Sequence, residues 1–272
     1  MKKLLALVLS LALALLCTSA FATQTIVIGA TTTPHAEILE LIKDDLAALG
    51  YELDIQIFTE YPIPNPATAS GDLDANYFQH IPYLTAYNNG VDASQQLVAA
   101  IPVHYEPYGI YAGTKASLAD IAPGDSIAVT NDPSNETRAL NLLAEAGLIT
   151  LPENVDLLSD SLTKLDIVEN PLNLEIVEVN AELLTSTLQD VSFAVINGNF
   201  AISAGLKPGE DALLLEDASG QAGIIYTNYV VVRTADENAP WVDALRSTLT
   251  SDKVRTYILE HEAYAKGVIP VF

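Results

Sequence analysis

One arginine beside the start of a predicted helix suggests the most specific chemistry in this sequence. Arg138 lies in NDPSNETRAL, residues 131–140, where Asp132 can cap a helix. A guanidinium fork can bind a carboxylate through two hydrogen bonds, and a helix N-terminus favours the same negative charge. The alternative is a surface ion pair of Arg138 with Glu136 or Glu145, because both lie within reach along the same helix.

Two asparagines stand at the ends of β-rich runs, Asn197 after FAVI and Asn228 after IIYT. In α/β proteins the strand ends that face a cleft make ligand contacts. An asparagine amide carries both a donor and an acceptor, so it suits the ammonium and carboxylate of an amino acid together. Turn formation after a strand is the alternative for each residue.

Aromatic side chains are concentrated in two segments of the chain. They are Tyr61, Tyr77, Phe78, His80 and Tyr83, followed by His104, Tyr105 and Tyr108. Aromatic walls with a few polar tips suit a pocket for a flexible apolar side chain, and a thioether sulfur packs well against ring edges. Ordinary core packing is the alternative.

Metal chemistry and catalysis find little support in the residue types. The histidines that follow the leader are His35, His80, His104 and His261, and no pair has the spacing of metal ligands. The sequence shows no nucleophile elbow and no phosphate-binding glycine loop. We therefore predict a binding protein with no catalytic residue, no metal and no cofactor. An exported enzyme and a metal-capture protein are the alternatives of another class.

Strand and helix signals alternate along the chain. Residues 25–29 form a β-branched run typical of a buried parallel strand, and apolar residues at helical spacing follow between Ile38 and Leu49. Further strands are predicted at 53–57, 126–129, 174–179, 193–197 and 224–233, and further helices at 136–146, 181–189 and 240–261. This order predicts an α/β fold of mostly parallel sheets with flanking helices.

The length and the order of elements predict two lobes joined by two crossing strands, the fold of type II periplasmic binding proteins. The first lobe is predicted at 23–108, the second at 109–226, and a return to the first at 227–272. Such an arrangement leaves a cleft between the lobes for a ligand.

The first 22 residues have the pattern of a secretory signal peptide. Lys2 and Lys3 precede a short apolar run, and Ala20 and Ala22 supply the small residues of a cleavage site, so we expect cleavage after Ala22. The run is too short to span a bilayer. Cys17 offers a lipid anchor as the alternative, but the bulky residue before it disfavours lipidation.

The remaining chain is strongly acidic. Removal of the leader leaves 250 residues with ten Lys and Arg against 35 Asp and Glu, a formal charge of −25. This charge excludes nucleic acid and anionic lipid surfaces as partners. We attribute it to a hydrated surface rather than to the binding function.

Several segments in order resemble the methionine-binding lipoproteins of the NlpA type, which serve methionine ABC importers. They are TPHAEIL (33–39), PNPATASGDLDANYFQHIPYL (64–84), NDPSNETRALNLL (131–143), LDIVENP (165–171), AVIN (194–197) and YTNYVVVR (226–233). The resemblance covers nearly the whole chain after the leader. It implies a periplasmic, monomeric protein that binds L-methionine and hands it to a membrane permease. D-methionine or a methionine-containing dipeptide is the alternative ligand.

The resemblance also implies roles for six residues. Arg138 matches the arginine that holds the α-carboxylate, and Asn197 and Asn228 match the asparagines that bond the amino-acid backbone groups. The residues that match the aromatic set around the methionine side chain are Tyr61, Phe78 and His80. Two departures stand out. Glu136 replaces a small or uncharged residue and is expected to point to solvent, and segment 218–226 is a few residues longer than in the family.

Overall fold

The computed structural model describes residues 23–272, and the predicted leader with Cys17 lies outside the described residues. Its strands form two sheets. In chain order they are β1 (Gln24–Ala30), β2 (Tyr51–Ile57), β3 (Ala75–His80), β4 (Leu97–Tyr105), β5 (Gly109–Ala112), β6 (Ser126–Thr130), β7 (Glu175–Val179), β8 (Phe193–Ile196), β9 (Ala212–Leu215), β10 (Thr227–Arg233) and β11 (Ile269–Pro270). The first sheet has the order β11-β4-β10-β3-β1-β2, and the second has the order β7-β6-β8-β5-β9.

Helices cover both sheets. They are α1 (Glu37–Leu41), α2 (Lys43–Ala48), α3 (Pro64–Ser70), α4 (Ile81–Asn89), α5 (Pro133–Glu145), α6 (Leu184–Thr187), α7 (Gly198–Ser203), α8 (Pro208–Asp211), α9 (Gln221–Ile225), α10 (Pro240–Leu249) and α11 (Asp252–Glu260). Each sheet has its own apolar core. Ile28, Leu39 and Trp241 belong to the first core, and Leu140 and Phe193 belong to the second. Two separate cores make two lobes.

The chain passes between the sheets twice. The first passage joins the end of β4 at Tyr105 to the start of β5 at Gly109, and the second joins the end of β9 at Leu215 to the start of β10 at Thr227. Both passages lie beside the space between the lobes, so residues in them can contact a ligand and also follow any movement of one lobe against the other.

Most strands of each sheet run in one direction, as predicted. The exceptions are β10 and β11 in the first sheet and β5 in the second, and they make five of the nine strand pairings antiparallel. β10 runs antiparallel between β3 and β4, and β5 runs antiparallel between β8 and β9. Both strands directly follow a passage. There the chain enters the sheet in the direction opposite to the neighbouring strands. A strand that is buried on both faces has the same apolar run in either direction, so the sequence pattern could not show this.

Segment 224–233 is also not one strand. Ile224 lies in the short helix α9, and β10 begins only at Thr227. Asn228 is therefore near the start of its strand and not at the end of one, as the sequence suggested. Among residues 23–272, no helix combines the length and the apolar character needed to cross a membrane.

Candidate functional site

A cavity lies between the two lobes and is bordered by side chains from both. Its lining consists of His35, Tyr61, Phe78, Gln79, His80, Tyr83, Glu106, Tyr108, Asn135, Arg138, Asn197, Gly198, Asn199 and Asn228. The space among these residues is about 340 Å³. Nearly all of these side chains are buried, so the cavity suits a small molecule.

One wall of the cavity is aromatic and joins the lobes. Tyr61 and Phe78 of the first lobe have ring centroids 5.7 Å apart, and Phe200 of the second lobe lies 5.1 Å from Tyr61. Tyr83 packs edge-on against Phe78 at 5.5 Å. The Tyr61 hydroxyl donates to Asn199 Oδ1 at 2.6 Å, which ties this wall to the second lobe. The predicted aromatic set of Tyr61 and Phe78 is thus brought together at one place.

Arg138 is fixed by a carboxylate that the sequence did not single out. Its Nε donates to Glu216 Oε1 at 3.1 Å, and its Nη2 donates to Glu216 Oε2 at 2.5 Å and to the carbonyl of Glu106 at 2.7 Å. The guanidinium lies between the rings of Tyr108 and Tyr226, with centroids 3.9 and 4.0 Å from Cζ. Burial by itself lowers the pKa of Arg138, but the charge and hydrogen bonds of Glu216, together with Tyr105 and Tyr108, outweigh it and raise the pKa.

The arginine fork expected to face a ligand is therefore largely occupied, and neither surface pair considered from the sequence forms. Arg138 pairs with Glu216 rather than with Glu136 or Glu145. We name Arg138, Glu216 and the rings of Tyr108 and Tyr226 the arginine cluster. Because Glu216 lies in the second passage and the carbonyl of Glu106 lies in the first, the cluster connects both passages between the lobes.

Glu136 does not point to solvent as expected, because it is buried with only 3% of its surface exposed. Its Oε1 accepts the backbone N–H of Lys164 at 3.0 Å, and its carboxyl group hydrogen-bonds to Glu178. Burial, together with that neighbouring carboxyl group, raises the pKa of Glu136 to about 7. The residue does not border the cavity, so it does not compete with a ligand.

A second charged group, the glutamate cluster of Glu106, His35 and His104, borders the same cavity. His104 Nε2 lies 2.7 Å and His35 Nε2 lies 3.4 Å from Glu106 Oε1. Burial lowers the pKa of His35 to about 4 and that of His104 to about 3, so both imidazoles are neutral near pH 7. Burial also raises the pKa of Glu106.

Hydroxyl groups fix the orientation of both imidazoles in this cluster. Thr31 Oγ1 lies 2.7 Å from His35 Nδ1, and the Tyr77 hydroxyl is hydrogen-bonded to His104 Nδ1. When each hydroxyl donates to Nδ1, the Nε2–H of each neutral ring donates toward Glu106. The same three residues are within 4.8 Å of one another and could hold a metal ion. The chain spacing gave no sign of this set, because His35 comes from a segment far along the chain from His104 and Glu106.

The polar residues predicted to bind the ligand all border the cavity. Their role in binding remains a prediction. Asn197 caps no helix with its side chain, and its buried Oδ1 has no hydrogen-bond partner within residues 23–272. Asn228 Oδ1 lies 3.2 Å from His35 Nε2. His80 Nε2 lies 3.0 Å from Asn135 Oδ1, and burial lowers the pKa of His80 to about 3.

The sequence reasoning did not single out several residues of the site, among them Glu106, Glu216 and Asn199. Glu106 and Glu216 were hidden among 35 acidic residues, and Asn199 lies two positions after a predicted site residue. The one sequence signal for a close approach at this site was Gly198. A Cβ at Gly198 would lie 2.8 Å from the Cβ of Glu106, so only glycine lets these backbones approach so closely.

Comparisons with known proteins agree with this geometry. The family model described as NlpA lipoprotein matches residues 26–272. The methionine-binding lipoprotein MetQ of Bacillus subtilis is 38% identical over 248 residues, which cover 90% of this chain and 88% of that protein.

Solved structures resemble the chain over nearly its whole length. A lipoprotein from Ruminococcus gnavus has a TM-score of 0.86 and 43% identity, covering 92% of this chain and 100% of that one. A nutrient-binding protein from Burkholderia cenocepacia bound to methionine has a TM-score of 0.84 and 36% identity, covering 91% and 100%. The resemblance inferred from the sequence and the two-lobe binding-protein fold are confirmed: the chain belongs to the NlpA lipoprotein family.

Proposed function

We propose that this chain is an extracytoplasmic substrate-binding protein that captures L-methionine between its lobes and delivers it to an ABC importer. The observation that carries the proposal is the buried cavity, which has an aromatic wall on one side and charged groups of both signs on the other. The methionine-binding relative and the methionine-bound neighbour support the choice of ligand.

The aromatic wall is the part of the cavity that suits the methionine side chain. Tyr61 and Phe78 border the cavity, and Phe200 packs against Tyr61. Burial of a side chain of this size contributes about 1.5–3 kcal/mol. Contact of the sulfur with ring edges adds about 0.3–1.5 kcal/mol.

Capture would require the lobes to separate and close again. In the structure the lobes meet through the Tyr61–Asn199 and His80–Asn135 hydrogen bonds, so the cavity is closed over. We propose that the domain boundaries are those predicted, with lobes at 23–108, 109–226 and the return at 227–272. The two changes of sheet support this division, and we propose that the hinge lies at the two passages.

The compartment and partners follow from the same proposal. We propose that a signal peptide is removed after Ala22, that the mature protein works outside the cytoplasmic membrane as a monomer, and that a membrane permease receives the ligand. The lipoprotein relatives support the compartment. The relatives are binding proteins, so we propose no catalytic step and no cofactor.

The proposal is tested by calorimetric titration of residues 23–272, unfolded and refolded beforehand to remove any ligand retained from expression. We expect L-methionine to bind at one site and L-leucine to bind at least about tenfold more weakly, because leucine lacks the thioether that packs against ring edges. Phe78→Ala should weaken methionine binding by about 1–3 kcal/mol. Absence of methionine binding would overturn the proposal. Tighter binding of D-methionine or of a methionine dipeptide would make that compound the proposed ligand instead.

Metal capture is the second candidate, and the glutamate cluster is the specific observation that favours it. Two imidazole nitrogens and a carboxylate oxygen suit zinc. With zinc at Nε2, the Nδ1–H of each ring would donate to its hydroxyl, as ligating histidines donate their other ring N–H to an acceptor. Titration of the same refolded protein with zinc decides between the candidates. Stoichiometric zinc binding without methionine binding would favour metal capture.

A further inference from the structure

The two lobes also touch outside the cavity. Helix α8 of the second lobe meets residues 261–268 of the first lobe, which we name the C-terminal turn. The backbone N–H of Gly209 in α8 donates to the carbonyl oxygen of Ala265 in this turn at 3.0 Å. Neither residue borders the cavity, so this contact connects the lobes in addition to the two passages.

Glycines let the two backbones come very close at this contact. A Cβ at Gly209 would lie 2.2 Å from the carbonyl oxygen of Ala265, and a Cβ at Gly267 would lie 2.4 Å from Cγ of Pro208. No side chain fits at these distances, so both positions require glycine. Backbones packed this closely can tilt against each other, but they cannot slide without steric clashes.

The C-terminal turn is held firmly on the side of the first lobe. Tyr264 is buried in the first core, and its hydroxyl donates to Glu37 at 2.7 Å. The next two residues, Ala265 and Lys266, have φ angles of 41° and 65°, a left-handed conformation that is unfavourable for residues with a side chain. Such a conformation persists where the surrounding contacts impose it. Here Tyr264 holds one side of the turn and Gly209 holds the other.

Both sides of the contact are continuous with strands that adjoin the passages. Gly267 comes two residues before β11, whose Ile269 pairs with Tyr105, where the first passage begins. Helix α8 leads directly into β9, which pairs with β5 and ends where the second passage begins. The contact therefore lies near the axis of a rotation about the passages, where displacements are smallest.

The lobes meet differently at a second groove, which we name the outer groove. Thr85 and Asn89 of α4 border it on one side, and Ser159 and Asp160 of the second lobe border it on the other. Asn89 is at the opposite end of α4 from the cavity residue His80. Open space separates the two sides of this groove, so they can move apart while the backbone contact at α8 persists.

We propose that the contact between α8 and the C-terminal turn is a non-covalent pivot that persists while the lobes separate and close. It goes beyond the proposed function, because it concerns how the lobes move and not which ligand they bind. Two extended passages alone would let the lobes twist as well as open. A close backbone contact beside them opposes the twist and leaves opening and closing as the permitted motion.

The test measures distances between spin labels by pulsed electron paramagnetic resonance, on refolded residues 23–272 with and without L-methionine. This part of the chain has no cysteine, so labels can be placed at chosen pairs of positions. Glu210→Cys with Glu262→Cys reports on the pivot, and Thr85→Cys with Ser159→Cys reports on the outer groove. On addition of methionine we expect the groove distance to shorten by more than about 2 Å and the pivot distance to change by less than about 1 Å.

A pivot distance that changes as much as the groove distance overturns the pivot, and so do two unchanged distances in protein that binds methionine by calorimetry. Neither result affects the proposed function. Absence of methionine binding overturns the proposed function instead, and the pivot is then decided by variants without ligand.

The variant Gly209→Ala places a methyl group against the Ala265 carbonyl, and Gly90→Ala, whose methyl group would meet nothing closer than 3.5 Å, is the control. With the groove pair labelled and no ligand added, Gly209→Ala should give a distance distribution at least about twofold broader than that of the control, because the lobes can then twist. Equal widths overturn the pivot. If Gly209→Ala fails to fold by circular dichroism, Gly267→Ala, which disturbs the same contact from the turn, takes its place.

Discussion

The arginine cluster and the glutamate cluster are both buried, both charged and both in contact with one cavity, yet they are balanced differently. Arg138 has an internal counterion 2.5 Å away, and aromatic rings cover both faces of its guanidinium. Glu106 has only neutral hydrogen-bond donors around Oε1. The first cluster contains its own counterion, whereas neutral hydrogen-bond donors hold the carboxylate oxygen of the second.

We expect this difference to decide whether a substitution acts first on stability or on ligand binding. A charge whose partner is built into the protein contributes mainly to stability, and its removal leaves the partner buried and unpaired. A charge whose partner is missing contributes mainly to affinity. Changes in the arginine cluster should therefore be seen first in unfolding experiments, and changes near Glu106 should be seen first in binding experiments.

The largest expected effect is the loss of stability in Arg138→Ala. The substitution leaves the Glu216 carboxylate buried without its counterion, so we expect the free energy of unfolding to fall by about 3–5 kcal/mol. Denaturant unfolding monitored by circular dichroism measures it. Lys253→Ala, which breaks the exposed pair with Asp45, is the control and should cost less than about 1 kcal/mol. Equal losses in the two variants would mean that the buried Arg138–Glu216 pair stabilises the protein no more than an exposed ion pair does.

Gly198→Ala should disturb the glutamate cluster directly. The new methyl group would lie 2.8 Å from the Cβ of Glu106, so the two segments must move apart at a cost of about 1–3 kcal/mol. Methionine affinity should fall as Glu106 leaves its position. Gly90→Ala is the control, because its methyl group would meet nothing closer than 3.5 Å. Thermal melts and calorimetric titrations of both variants check this, and unchanged affinity in Gly198→Ala would argue against a role for Glu106.

Two tyrosines beside Arg138 allow a finer comparison, because one hydroxyl group is hydrogen-bonded and the other is not. The Tyr105 hydroxyl donates to Glu216 at 2.5 Å, whereas the buried Tyr226 hydroxyl has no partner among residues 23–272. Tyr105→Phe should destabilise the protein by about 1.5–3 kcal/mol, and Tyr226→Phe should leave stability unchanged or raise it by up to about 1 kcal/mol. Chemical denaturation distinguishes these outcomes. A larger loss in Tyr226→Phe than in Tyr105→Phe would contradict the assigned contacts.

The smallest effect is expected outside the cavity, at the carboxyl pair of Glu136 and Glu178. The pKa of Glu136 is about 7 in the folded protein against an ordinary value of 4.5, so its protonation favours the folded state. This contribution is present below pH 4.5 and is lost as the pH rises through 7. Glu136→Gln should therefore be more stable than the unchanged protein at pH 8, by at most about 1 kcal/mol after solvent screening, with the gain vanishing near pH 5. Thermal melts at both pH values test this, and a gain at pH 5 alone would reverse the assignment.

Most of the correct predictions from the sequence came from its resemblance to the family. It gave the family and the two-lobe fold, and all six residues that it singled out border one cavity. Periodicity and capping located most strands and the main helix of the second lobe, where Asp132 accepts the N–H of Asn135 as expected. The antiparallel direction of β5 and β10 could not be predicted, because a strand buried on both faces has the same pattern whichever way it runs.

The sequence by itself determined the residue types of the site and the segments that carry them, since periodic burial and local capping depend on neighbours along the chain. Only the tertiary structure decided how the charges are paired. Glu216 lies 78 residues from Arg138, and the partners of Glu106 come from segments as distant as His35. An acidic residue looks the same in a sequence whether it faces water, an arginine or two neutral imidazoles. Its role is set by the dielectric and the partners around it, and those exist only after the lobes have folded together.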